Sequence, residues 1–358
     1  MPIYDTASGP GLLVPLQRAW RAALAVAVLA GMLLVPLSVA GQTGSDDGSS
    51  NPYWDGPVQG SGEGRRIGYI SIGDAGEFTT VVNEGIRDQA AVAGFDLVVC
   101  DSRFNPEEAI VCGRQLDQLG VEGVLNFQIS EEDSERVCSS YGDLPTLAID
   151  VHQAPCERSF VGADNLRAGF LTGEAVGLHL QAEQDCGYDT VFALGGSEVG
   201  IVSVQRVGGM VEGFASICGP VPEARLRPLD TVGSYEVSLE TVSAELEELP
   251  IGGIHVVLAL NDSSAFGADD AARRLGRESE LRIGSQGALS MLDAIACDDH
   301  WIAASAYFPE RYGHILIGAM VDLLDGVDIP SELFVPHVAV TADNVADIYG
   351  EAPDCTPA

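Results

Sequence analysis

The stretch Gly253–Gly276, GIHVVLALNDSSAFGADDAARRLG, decides the fold. It reads as a short apolar strand that stops at a polar tip, Asn261, and passes at once into an amphipathic helix from Asp262. The same unit recurs in both directions along the chain. Upstream, strands are expected at RIGYISI, FDLVVCD, GVLNF, PTLAID and SFVGA, then at DTVFALG and ARLRPL; downstream, at LRIGS, HWIAASAYF and the extended ELFVPHVAV. Helices separate them, starting near Phe78, Pro106, Glu131, Asn165, Tyr235 and Asp262, running through VGGMVEGFASI and ALSMLDAIA, and ending with Pro309 to Asp325. Short strands alternating with helices predict an α/β fold built on parallel sheets. The chain has 358 residues, 46% of them apolar, which is enough for two doubly wound, Rossmann-like lobes.

Charge removes several classes of function. Against 53 acidic residues stand 18 basic ones, a formal charge of -35, so nucleic acid is not an expected partner. Every basic residue is an arginine. Without lysine there is no Schiff-base chemistry and no phosphate-loop lysine. Enzyme signatures also fail. GGSEVG, at 195–200, has Val199 where a nucleophile elbow needs glycine, and GSGEGR has Arg65 at the third glycine of the dinucleotide fingerprint. The carboxylates of GSDDGSSNPYWDG lack the spacing of a calcium loop. No catalytic residue, metal or cofactor is expected.

The amino-terminal end differs from the rest. Arg18 and Arg21 precede AALAVAVLAGMLLVPL, and small residues follow at Ser38–Ala40, as in an export signal over 1–40; an uncleaved anchor is the alternative. No cysteine follows the apolar run directly, so no lipid-modification box is seen. Residues 41–64, rich in Gly, Ser and Asp, are expected to form a flexible tether. The eight cysteines fall after this region. In an exported chain they favour disulfides, and the spacing favours neighbours: Cys100 with Cys112, Cys138 with Cys156, Cys186 with Cys218, and Cys297 with Cys355. A zinc site is the weaker reading, since there is no CxxC and the histidines are scattered.

Polar residues recur at the carboxyl tips of the strands: Asp101, Gln128, Asp150, Asn261, Gln286 and Tyr307. Ligands of open parallel sheets bind beyond such tips, and carboxylates and amides there suit a hydroxyl-rich molecule. Each alone could equally cap the following helix. Asp164 and Asn165, side by side at the start of a helix, carry the same ambiguity.

From Arg65 to Asn344 the chain resembles the type 1 periplasmic binding proteins of the ribose and galactose kind. The resemblance rests on FTTVVNEGIRDQAAVAGFDLVVCDSRFNPEEAI, on LPTLAIDVHQ followed by VGADN, on MVEGF, on ALNDSSAFGADDAARRLG, and on SAYFPERYG ahead of VDLLDGVDIP. It implies two lobes, 65–163 with 309–333 and 164–308 with 334–358, joined by three crossings near Asp164 and Asn165, Phe308 and Phe334. It further implies a sugar-like ligand delivered to the membrane permease of an ABC importer by a monomer in the periplasm or at the cell surface. Two alternatives are a sensor input to a membrane receptor and an exported α/β hydrolase. By the family pattern Phe78 lines the cleft, Asp150 takes sugar hydroxyls, and Asn261 contacts the ligand from the second lobe. Elsewhere the chain departs from the pattern. Val151 and then His152 stand where an arginine often follows the aspartate. Gln286 replaces an aspartate and Tyr307 a glutamine. Met210 occupies the arginine position, for which Gln205 or Arg206 could substitute.

Overall fold

The computed structural model describes residues 51–350 apart from 75, 129 and 130, together with 353 and 355. The expected export signal and residues 41–50 of the expected tether lie outside the described residues.

Two six-stranded sheets organise the molecule. The first holds β1 (Arg66–Ser71), β2 (Asp96–Asp101), β3 (Gly123–Phe127), β4 (Thr146–Ile149), β5 (Glu157–Gly162) and β11 (Glu332–Phe334), in the order β11-β5-β4-β3-β1-β2. The second holds β6 (Thr190–Gly195), β7 (Leu226–Asp230), β8 (His255–Ala259), β9 (Leu281–Gly287), β10 (Trp301–Ala306) and β12 (Ala339–Val340), in the order β12-β10-β9-β8-β6-β7. All pairings are parallel except β10 with β12. The two sheets thus share one winding, although no sequence repeat connects them.

Helices cover both faces. In the first lobe these are α1 (Glu77–Ala93), α2 (Pro106–Gln118) and α3 (Ser134–Cys138), the last beginning three residues after its expected start. In the second they are α4 (Asn165–Gln184), α5 (Ile201–Cys218), α6 (Tyr235–Glu248), α7 (Asp262–Leu275) and α8 (Leu292–Cys297). The chain then returns to the first lobe as α9 (Pro309–Leu324), which packs on α1, and ends in the second with α10 (Val345–Tyr349). Side chains set the helix starts. Asn105, Asp164, Ser234 and Asn261 each accept a backbone N–H of the first turn, which satisfies one of the donors a helix start leaves free.

The expected single extended piece ELFVPHVAV divides between the sheets. Glu332–Phe334 pairs with β5, and Ala339–Val340 turns antiparallel onto β10. Pro336, which cannot donate to a ladder, stands between them. Phe334 therefore closes the first sheet, opposite Gly162, and the passage to the second lobe follows it.

The tether expectation is corrected from Asn51 onward. Asn51 is buried and its Nδ2 donates to the Phe334 carbonyl at 2.9 Å. The Tyr53 hydroxyl donates to Asp322 on α9 at 2.8 Å. The Trp54 ring lies edge-on to Phe308 at 5.5 Å, carries the Arg311 guanidinium at 5.0 Å, and packs against the cores of both lobes. Two aromatic rings and one satisfied amide outweigh the Gly/Ser composition that suggested a free linker, and turn this segment into a strap behind the interlobe passages.

The cysteines form four disulfides in sequence order: Cys100–Cys112, Cys138–Cys156, Cys186–Cys218 and Cys297–Cys355. Each bridge stays within one lobe.

Candidate functional site

Asp150 ends β4 in a left-handed conformation, φ 61°, and Val151 N–H closes a three-residue turn onto the Ile149 carbonyl at 2.7 Å. That sign of φ is uncommon for aspartate and marks backbone held in place by its surroundings. The Tyr312 hydroxyl, carried in from α9, donates to Asp150 Oδ1 at 3.3 Å. Burial pushes the Asp150 carboxyl above the usual range, while the Arg206 charge and the Tyr312 bond draw it back.

Arg206 approaches from α5 in the other lobe. Its Nε donates to Asn165 Oδ1 at 2.7 Å, and its guanidinium lies 4.8 Å from the centre of the Tyr307 ring, a cation–π distance. The Arg206 charge acts on Asp150, Asp262, Tyr307, Tyr312 and His337, so these groups lie within electrostatic reach of one cation. The Tyr307 hydroxyl donates to Gln286 Oε1. Phe78 meets Tyr312 edge-on at 5.4 Å. Phe78, Asp150, Arg206, Gln286 and Tyr307 are thereby brought to one place at the carboxyl ends of strands from both sheets.

The remaining expected residues are engaged differently. Asn261 caps α7, accepting from Ser264 N–H at 2.9 Å, and its amide donates to the Gly233 carbonyl at 3.0 Å. It stands beside the group and is committed to shaping the second-lobe rim. Gln128 is buried and donates to Asn126 Oδ1 at 3.1 Å. Strand alternation explains this: Val124 and Asn126 face α2 and α3, and Gln128 continues on that side. His152 stacks on Phe160 at 4.3 Å and pairs with Glu157 at 2.9 Å, on the first lobe alone. Gln205 is half-exposed on α5 and makes no hydrogen bond among the described residues.

The crossing residues also resolve. Asp164 is a cap, accepting Arg167 N–H at 2.9 Å, whereas Asn165 holds Arg206. Phe308 takes a left-handed φ of 46° ahead of Pro309. Sequence reasoning missed His337. Its Nε2 accepts from Asp164 N–H at 2.9 Å, its Nδ1–H donates to the Ala306 carbonyl at 3.2 Å, and its ring meets Tyr307 at 5.4 Å. One imidazole, itself on the third passage, thus joins the first and second passages between the sheets. Burial lowers its pKa to about 4, which keeps it neutral and in the tautomer these bonds require. Tyr312 and Asp262 were also missed, although both lie inside the quoted motifs; nothing in the sequence marked His337.

No family model matches the chain. A curated relative, the ribose import binding protein RbsB of Escherichia coli (strain K12), is 22% identical over 242 residues, covering 66% of this chain and 77% of its own. A crystal structure of a periplasmic ribose ABC transporter protein from Conexibacter woesei superposes with a TM-score of 0.69 at 18% identity, covering 82% of this chain and 97% of that one. An ABC transporter solute-binding protein from Mycobacterium smegmatis, with bound glycerol, gives 0.67 at 18% identity over 80% and 97%. This chain has the type 1 periplasmic binding protein fold. In a periplasmic binding protein fold the two sheets share one winding and the chain passes three times between them, as it does here. The Asp150–Arg206 group lies where such sheets expose their strand tips, the ordinary ligand position of open α/β folds.

Proposed function

We propose that this protein is an exported, monomeric solute-binding protein that captures a small polyhydroxylated molecule between its lobes and delivers it to the permease of an ABC importer. The observation that carries this reading is the convergence of Asp150 and Tyr312 from one lobe with Arg206, Tyr307 and Gln286 from the other. Donors and acceptors drawn from two lobes can hold hydroxyl groups only when the lobes meet, so binding and closure are one event. The Phe78 and Tyr312 rings offer apolar faces to C–H groups. The ribose protein relatives and the glycerol-bound neighbour favour the same chemistry. Four disulfides suit an oxidising compartment outside the cytoplasm.

Thermal shift against furanoses, pyranoses, polyols and nucleosides tests the proposal, because a ligand that binds only the folded state stabilises it. Stabilisation by at least one neutral polyhydroxy compound is expected. No shift with any compound at millimolar concentration overturns the reading.

A further inference from the structure

Four helices of this fold end on the unfavourable sign of charge. The carboxyl end of a helix is the negative pole of its aligned peptide dipoles, which a basic side chain in the last turn ordinarily offsets. Here Asp117 ends α2, Glu183 and Asp185 end α4, Glu245, Glu247 and Glu248 end α6, and Asp322 and Asp325 end α9, with no basic residue in any of these last turns. Arginine reaches two of them from elsewhere, Arg65 to Asp325 and Arg227 to Glu245 at 3.9 Å. Asp117, Asp185, Glu247 and Glu248 stand exposed. Carboxylates also face one another a turn apart on exposed flanks, Glu84 with Asp88 on α1 and Glu236 with Glu240 on α6, a spacing at which like charges repel.

These placements are the local form of a global imbalance. With 53 acidic residues against 18 arginines and a formal charge of -35, like charges meet more often than unlike ones, and self-repulsion opposes the compact state. Carboxylates in first turns, such as Glu77, Glu107, Glu236 and Glu310, gain from the positive pole they face. Those at the negative poles gain nothing there. Salt acts on such exposed charges directly, since the distance over which they feel one another falls from about 30 Å at 0.01 M to about 3 Å at 1 M. Screening weakens the favourable first-turn contacts as well, but at this net charge the repulsion it removes is the larger quantity.

We propose that this fold is conditioned on salt: dissolved monovalent cations take the place of the absent lysines at the negative helix poles and over the acidic surface, so that the protein reaches its working stability in a saline medium. This goes beyond the binding function and does not depend on what the lobes bind. A diffuse cation atmosphere fits better than a bound ion, because the helix-end carboxylates are spread over four helices in both lobes. Among the described residues one group of side chains converges closely enough to hold an ion, Asp269, Asp298 and His300, and Arg273 already bridges its two carboxylates at 3.0 and 2.7 Å. None of the helix-end carboxylates belongs to that group.

Unfolding by urea, which is uncharged, tests this across a salt series. The wild-type midpoint is expected to rise by roughly 0.5–1 M urea between about 0.01 M and 1 M NaCl, with most of the gain below about 0.5 M, and to rise equally in KCl at the same ionic strength. The triple variant Asp117→Lys, Glu247→Lys, Glu248→Lys places cations at two of the poles from exposed positions. It should exceed the wild-type midpoint at low salt, show a rise about a third smaller, and converge with wild type near 1 M. Circular dichroism at high salt checks that the variant folds. A wild-type midpoint that stays flat or falls with salt overturns the proposal. So does a rise confined to one cation, which means a bound ion, or a folded variant that keeps the full wild-type rise, which means that salt acts through something other than these charges.

Discussion

A single imidazole touches all three passages between the lobes. His337 accepts from one passage and donates to another while sitting on the third. Its pKa near 4, against about 6.5 when unfolded, means that the unfolded chain binds the proton first as pH falls. Stability from this group is present above pH 6.5 and is lost between about 6.5 and 4. His337→Ala should therefore cost roughly 2–3 kcal/mol at pH 7, and urea denaturation should show the gap between variant and wild type narrowing as pH falls through 5 toward 4. Asp262 works in the opposite sense. Burial raises its pKa to about 6, so it favours folding at low pH and loses that contribution as pH rises from about 4 to 6. Asp150 separates function from stability. Burial already opposes its charge, so Asp150→Asn should leave urea stability unchanged or higher while weakening ligand binding at least tenfold in calorimetry.

At the scale of elements, two seams hold the molecule. Helices α4 and α5 touch backbone to backbone: a Cβ added at Gly173 would lie 1.9 Å from the Met210 carbonyl, and one at Gly213 would lie 2.0 Å from that of Phe170. Gly173→Ala must push the helices apart and should lower stability by roughly 2–3 kcal/mol. The other seam is the strap. Trp54→Ala removes the ring shared by both cores; a loss of roughly 1–3 kcal/mol in urea unfolding is expected, together with altered ligand affinity, because the contact with Phe308 lies at a passage between the lobes. The sequence reveals strands and helices well here, because short apolar runs between amphipathic segments have few other solutions. It conceals the strap. Asn51, Tyr53 and Trp54 are three anchors inside a Gly/Ser-rich stretch, and composition averages them away. It also conceals which tip residues face inward. Gln128 and Asp150 look alike as letters after apolar runs, but strand parity turns one toward α2 and α3, whereas a left-handed turn holds the other at the strand tip beside Tyr312.

The described residues form two similarly wound sheets with a polar group at their strand tips, and the order of motifs along the chain was sufficient to expect this. The departures from the family pattern were legible as letters. What replaces them was not, because Tyr312, Asp262 and His337 acquire their roles only through contacts between segments distant in sequence. Covalent structure follows the same division into lobes. The four bridges span 12, 18, 32 and 58 residues, and each begins and ends in the same lobe. Replacing Cys186 and Cys218 with serine should cost about 3 kcal/mol, read as a lower urea midpoint, without weakening ligand binding once the protein is folded. By contrast, no disulfide among the described residues joins lobe to lobe; beyond the three backbone passages, the contacts of His337 and Trp54 between the lobes are noncovalent. Oxidative maturation therefore sets how firmly each half keeps its own shape, and has no lever on the angle between the halves.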